Sequence, residues 1–231
     1  MPALSFASVA RYERTRVKPW LLCAVACIAV WWSAHFVSGE TIGPSHMTPG
    51  EFALAPIQFT VFCVRKPERC VSSEDIQKIA YDDESRRKID SVHRGVNRSI
   101  APFAHSPGVP WQDDATIGDC NEYALAKRSQ LLDLKFPVSA LLLAVAVVPS
   151  GEAHLVLVVV TDQGDFVLDS LRRHVVRWDR LPYRWIKRSS PKDPKLWQFI
   201  HSPEEFPPTA QFDDGELIVG SVRGGRGLDS P

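Results

Sequence analysis

The chain of 231 residues lacks any excess of charge, since 27 Lys and Arg balance 27 Asp and Glu. Its basic residues are scattered and are not gathered into a stripe interleaved with aromatics. Nothing in that pattern asks for nucleic acid, and that class of partner is set aside. A long hydrophobic run is missing as well. The uncharged stretch from Trp20 to Trp32 falls short of the roughly 20 apolar residues that a membrane span needs. Cysteine is sparse, at five residues, and no histidine stands at a metal-ligand spacing from them, which excludes a zinc site. What is present, 45% apolar and 23% charged residues, is enough to bury one good core, so a single domain is expected.

The amino terminus differs in kind from the rest. Arg11, Arg14, Arg16 and Lys18 precede the apolar run, small residues follow it, and Val37 with Gly39 forms a small pair ahead of Glu40. This order predicts a cleaved export signal over residues 1–39, the alternative being an uncleaved anchor in the inner membrane. Either way the remainder lies outside the cytoplasm. Removing four basic side chains and one acidic one moves the net charge of that remainder from 0 to -3.

Export makes the cysteine count informative. Cys23 and Cys27 belong to the signal, which leaves Cys63, Cys70 and Cys120. In an oxidising compartment Cys63 and Cys70 are close enough in FCVRKPERC, with Pro67 bending the chain, to close a short loop. Cys120 is then left over, although its pairing with either of the other two stays open at this level. An unpaired thiol in an exported protein is a liability unless it is buried or used.

Residues 40–56 read as an extended lead-in, and Ile57–Val64 alternates as a short strand would. A helical pattern starts at Ser72 and carries Ile76, Ile79, Ile89, Val92, Val96 and Ile100 on its apolar side, with Arg86, Arg87, Lys88 and Arg94 in water. Residues 101–117 hold three prolines and no period, and are expected to be loop. Val138–Val148 is read as a buried strand. His154–Val160 and Phe166–Leu171 flank the turn TDQGD and predict a β-hairpin. Trp178, Tyr183, Trp185 and Trp197 are expected to pack on the sheet, the domain to span 40–200, and 201–231 to form a mobile tail.

The chemistry centres on GDCNEYALAKRSQLLD, which reads as a helix beginning on a cysteine. Asp119 is a good N-cap and Glu122 reaches back to it, an acidic variant of the capping box, which puts Cys120 at the first helical position. There the unpaired N–H groups and the helix dipole favour a thiolate nucleophile, against the plainer reading of a cysteine that merely packs. A nucleophilic cysteine needs a base and a group that orients it. The hairpin offers both, because an even-numbered loop centred in TDQGD puts His154 and Asp169 on the same face. With Asp162 and Gln163 as the loop, the two lie within about two residues of being opposite. The backbone N–H of Cys120 is the natural first oxyanion donor, with Trp111 and Gln112 the nearest candidates to supply a second.

These segments resemble the bacterial transglutaminase-like cysteine proteinases: GDCNEYALAKRSQLL as the nucleophile helix, AHLVLVVV as the histidine strand and FVLDSL as the aspartate strand. FCVRKPERC, IDSVHRGVNRSI and SPKDPKLW resemble flanking segments, so the likeness spans roughly residues 50–200. It implies an α+β fold with a papain-like or transglutaminase-like core, a nucleophile helix packed on an antiparallel sheet, and Cys120, His154 and Asp169 as a triad. It further implies a periplasmic enzyme. The best-studied members of the family cut surface adhesins and release cells from biofilms, need calcium bound by acidic residues beside the cysteine, and are held by an inner-membrane cyclic di-GMP receptor. The chain departs from that pattern at Asn121, where the calcium-dependent members carry an acidic residue. Asp119 and Glu122 remain as candidate calcium ligands, or as caps and nothing more. Two rival functions stand beside the proteinase: a transglutaminase or amidase using the same thioester chemistry, and a non-catalytic binding protein that keeps the fold.

Overall fold

The computed structural model describes residues 45–105 and 108–201; the expected export signal and the tail from residue 202 lie outside the described residues. The architecture is α+β, as expected. Seven strands form one sheet: β1 (Thr48–Ala53), β4 (Leu141–Val147), β5 (Ala153–Thr161), β6 (Gly164–Leu168), β7 (Val176–Arg177), β8 (Arg184–Ser189) and β9 (Trp197–His201). Their spatial order is β1-β9-β8-β4-β5-β6-β7, and every pair is antiparallel.

Both faces of this sheet are covered, which explains why its central strand shows no alternation in sequence. In β4, Leu141, Leu143 and Val145 enter one core with Leu155, Leu157 and Val159 of β5. Leu142, Ala144 and Ala146 enter the other, with Val156, Val158, Trp178, Tyr183 and Trp185. Each fully buried leucine or valine contributes on the order of 2 kcal/mol of transfer free energy. Trp178, Tyr183, Trp185 and Trp197 are all buried, as their placement on the sheet required.

Three helices line the first core: α1 (Ile57–Arg65), α2 (Asp83–Ser99) and α3 (Cys120–Asp133). α1 corrects the strand expected at Ile57–Val64. Its alternation is real, but Phe59, Phe62 and Cys63 are the residues that are buried, and their i, i+3, i+4 spacing fits a helix packed on Trp111 and Trp197. A disulfide joins Cys63 at its end to Cys70. α2 starts later than the Ser72 signal suggested. Its N-cap is Asp82, whose carboxylate accepts the Ser85 N–H at 2.8 Å, while Ile79 makes an isolated bridge to Thr161 of the sheet. Ile89, Val92 and Val96 then turn inward as the period required. The expected loop 101–117 holds two short strands, β2 (Ala101–Pro102) and β3 (Ile117–Gly118), paired in parallel just before α3.

The hairpin follows the anticipated register. Thr161 pairs with Gly164, so Asp162 and Gln163 are its loop. Among the described residues no helix is long and apolar enough to cross a membrane.

Candidate active site

α3 begins on Cys120 because its first turn is closed from both sides. The Asp119 carboxylate accepts the Asn121 N–H at 3.0 Å, and the Glu122 carboxylate accepts the Asp119 N–H at 3.0 Å. Such a box is worth about 1 kcal/mol to the helix end. It also demands close approach. A Cβ on Gly118 would lie 2.7 Å from the Glu122 Cβ and Cγ.

β5 runs beside this turn. Leu155, one residue on from His154, directs its backbone N–H to the Cys120 sulfur, which brings the thiol to the start of the histidine strand. Continuing the β5–β6 register past Leu157–Leu168 sets Asp169 opposite Val156, two places from His154. The diagonal is bridged by a short hydrogen bond, His154 Nε2 to Asp169 Oδ1 at 2.6 Å, with the aspartate 0% exposed. The three residues singled out in the sequence therefore converge.

Protonation states follow from these contacts. Burial alone would raise the Asp169 carboxyl. The hydrogen bonds from His154, from Tyr183 and from the Leu171 N–H outweigh it and hold the group below its ordinary range. An ionised Asp169 only accepts, so His154 Nε2 carries the proton of that bond. Cys120 departs from the thiolate expected at a helix start. Burial pushes its thiol up, and the charges of Asp119, Glu122 and Asp169 push the same way against the Leu155 N–H. Proton removal from the thiol therefore belongs to the attack itself.

Asp119 and Glu122 form a buried acidic pair. Burial and the Asp119 charge raise Glu122 to about 7, and His105 Nε2 stands 3.8 Å from Glu122 Oε2. Two crowded carboxylates suit a hard cation such as calcium. Among the described residues no group of three or more His, Cys, Asp or Glu side chains converges on a metal position, so further ligands would have to be carbonyl, amide or water oxygens. Of the two oxyanion candidates, Trp111 is buried against Phe59 and Gln112 is exposed.

Three residues near the site carried no sequence signal for the contacts they make there. Tyr183, from the segment before β8, donates its hydroxyl to Asp169 Oδ2 at 2.5 Å. Lys127 of α3 is fully buried and donates to the Leu168 carbonyl at 3.3 Å. Asn97 of α2 donates to the carbonyls of Asp169 and Arg172 at 3.4 and 3.1 Å, clamping the turn that carries the aspartate. Each contact is made by a residue distant in sequence, where no spacing rule applies.

Comparison with known proteins places these observations. The family model described as bacterial transglutaminase-like cysteine proteinase BTLCP matches residues 49–205. Among solved structures, calcium-bound LapG of Legionella pneumophila is similar at 15% identity and a TM-score of 0.40, over 68% of this chain and 85% of that one. Another LapG structure from the same organism gives 17%, 0.42, 62% and 78%. A third, EGTA-treated, gives 17%, 0.40, 64% and 81%. No curated protein matched.

Proposed function

The chain belongs to the bacterial transglutaminase-like cysteine proteinases, and from that premise we propose that it is an exported enzyme cutting an envelope or surface protein with Cys120, His154 and Asp169. It is a cysteine peptidase, a hydrolase whose substrate is protein. The single observation that carries the triad is the 2.6 Å bond from His154 Nε2 to Asp169 Oδ1 beside a strand whose next N–H meets the Cys120 sulfur.

In this mechanism His154 Nδ1 removes the thiol proton as Cys120 Sγ bonds to the substrate carbonyl carbon. Asp169 stabilises the imidazolium that results, and the Cys120 N–H faces the oxygen that gains charge. His154 then gives the proton to the leaving amine as the C–N bond breaks. Water, deprotonated by the same imidazole, cleaves the thioester and restores the thiol.

Export is supported by the charged-then-apolar amino terminus and by the Cys63–Cys70 disulfide, which belongs to an oxidising compartment such as the periplasm. Calcium would be held by Asp119 and Glu122, where its charge would offset the carboxylates that raise the Cys120 thiol. A surface adhesin as substrate, a role in biofilm release and an inner-membrane cyclic di-GMP receptor as partner are carried from the family to this chain as part of the same reading.

The test incubates the full chain with envelope proteins, with calcium or with EGTA, and follows cleavage by mass spectrometry. Cleavage abolished by Cys120→Ala and by EGTA is expected. Cleavage that survives Cys120→Ala overturns the nucleophile, and indifference to EGTA overturns the calcium role.

A further inference from the structure

The tyrosine behind the histidine–aspartate pair is built in with more care than a packing residue needs. Tyr183 donates to Asp169 Oδ2 at 2.5 Å, while His154 and the Leu171 N–H both use Oδ1, at 2.6 and 2.8 Å. Among the described residues, the hydrogen bonds to this 0% exposed carboxylate are thus divided between its two oxygens. The phenol is itself held: Arg172 donates from Nε to its oxygen at 3.4 Å and stands over its ring at 5.7 Å. The His154 ring meets it edge-on, with centroids 6.4 Å apart. Because burial, and then the bond to Asp169, push the Tyr183 phenol up to about 12, the hydroxyl keeps its proton and serves as a donor throughout the working range.

We propose that Tyr183 is a positioning residue of the proteinase, one that fixes the plane of Asp169 and shares its charge, and so sets the strength of the His154–Asp169 bond. The inference rests on the triad reading above and adds a fourth member to it. A carboxylate that gives part of its charge to a phenol on Oδ2 accepts less strongly from an imidazole on Oδ1. The strength of that bond in turn sets how readily His154 takes the thiol proton and gives it up.

Other charged groups act on the pair through space and through the backbone. Lys127 of α3 lies behind Leu168 and Asp169, and its ammonium is lowered to about 7 by burial while Asp169 pulls it up. His93 of α2 is buried beside Lys127, Arg172 flanks the phenol, and Cys120 lies on the side of β5. Tyr183 is the side chain outside the triad that bonds the carboxylate directly.

The experiment is an NMR titration of the His154 ring in the full chain, comparing the wild type with Tyr183→Phe and with 3-fluorotyrosine incorporated at position 183. Loss of the hydroxyl concentrates charge on Oδ1, and the His154 midpoint is expected to rise by about one pH unit, a tenfold change in its protonation constant. The fluorinated phenol donates more strongly and moves the midpoint down. Trp185→Phe, which alters packing on the same ring at 5.9 Å, leaves the midpoint in place. A midpoint that is the same in all four proteins, or that moves equally with Trp185→Phe, overturns the proposal. If Tyr183→Phe does not fold, the fluorotyrosine protein decides alone. Iodoacetamide labelling of Cys120 in His154→Ala tests the triad separately: a rate equal to wild type sinks that reading, whatever the titration shows.

Discussion

His154 reaches Asp169 through Nε2, at 2.6 Å from Oδ1, which commits that nitrogen to the carboxylate. Oδ1 also accepts the Leu171 N–H at 2.8 Å, so this position must remain an oxygen. Oδ2 meets only a hydroxyl in its nearest contact, and a hydroxyl can turn round to accept. Asp169→Asn is therefore expected to keep the imidazole tautomer, with the amide nitrogen toward Tyr183, and to lose activity only through the missing charge that stabilises the imidazolium, less than a variant with no acceptor. Asp169→Ala removes the acceptor and should cost on the order of 10³-fold, within the range for a positioned proton-transfer group. Rates of substrate cleavage for the two variants check the order. An Asn variant as dead as the Ala variant would show that charge, not geometry, is what Asp169 supplies.

Gly118 is set by the nucleophile's helix. Any Cβ there meets Glu122 at its Cβ and Cγ, atoms fixed by the helix backbone, so relief must come from moving the first turn of α3. Gly118→Ala is expected to break the capping box at a cost of about 1–2 kcal/mol and to displace Cys120 with it. The stability loss is read from the urea midpoint, and the displacement from slower substrate cleavage. Full activity in a destabilised Gly118→Ala protein would mean that the helix start adjusts without moving the sulfur.

The Cys63–Cys70 bond closes a loop with a sequence separation of 7. For a loop this short the chain-entropy model gives about 2.5 kcal/mol. Replacing both cysteines with serine is expected to lower stability by that amount, measured by chemical denaturation, while dithiothreitol leaves the double variant unchanged. A variant as stable as the oxidised wild type would show that α1 and the Pro67–Arg69 turn are held by packing alone.

Sequence reading was strongest where a local rule and a long-range need coincide. The spacing from Asp119 to Glu122 marks a helix start by itself, and TDQGD between valine-rich runs marks a hairpin, so Cys120, His154 and the approach of Asp169 were all legible. It failed at Ile57–Arg65, where alternation imitates a strand and only packing against Trp111 and Trp197 selects the helix. It was silent on the site contacts of Tyr183, Lys127 and Asn97, whose partners lie 14 to 75 residues away. The state of Cys120 depends on more than its place at the helix start. A helix terminus favours a thiolate, but the same first turn carries Asp119 and Glu122, and their charges together with burial reverse the sign.

His93 makes stability fall on the acid side. It lies fully buried on α2, and burial, then the Lys127 ammonium, lower it to about 4 from 6.5, against the carbonyls of Arg172 and Arg173 and the charge of Asp90. Well above pH 6.5 neither folded nor unfolded His93 is protonated, and there the residue contributes nothing to the pH dependence. Between 6.5 and about 4 the unfolded chain binds a proton that the folded one refuses, so stability is lost as pH falls through that window. Each pH unit of that window is worth about 1.4 kcal/mol, so the loss approaches about 3 kcal/mol when complete. Asp169, held below its ordinary range, adds its own loss only at lower pH, once its carboxylate in the unfolded chain has begun to protonate. Urea unfolding at pH 7, 5.5 and 4.5 separates the two. Glu122, raised to about 7, gains stability over the same fall, so the wild type should drop progressively below His93→Leu across the series, while parallel slopes would assign the acid sensitivity to the carboxylates.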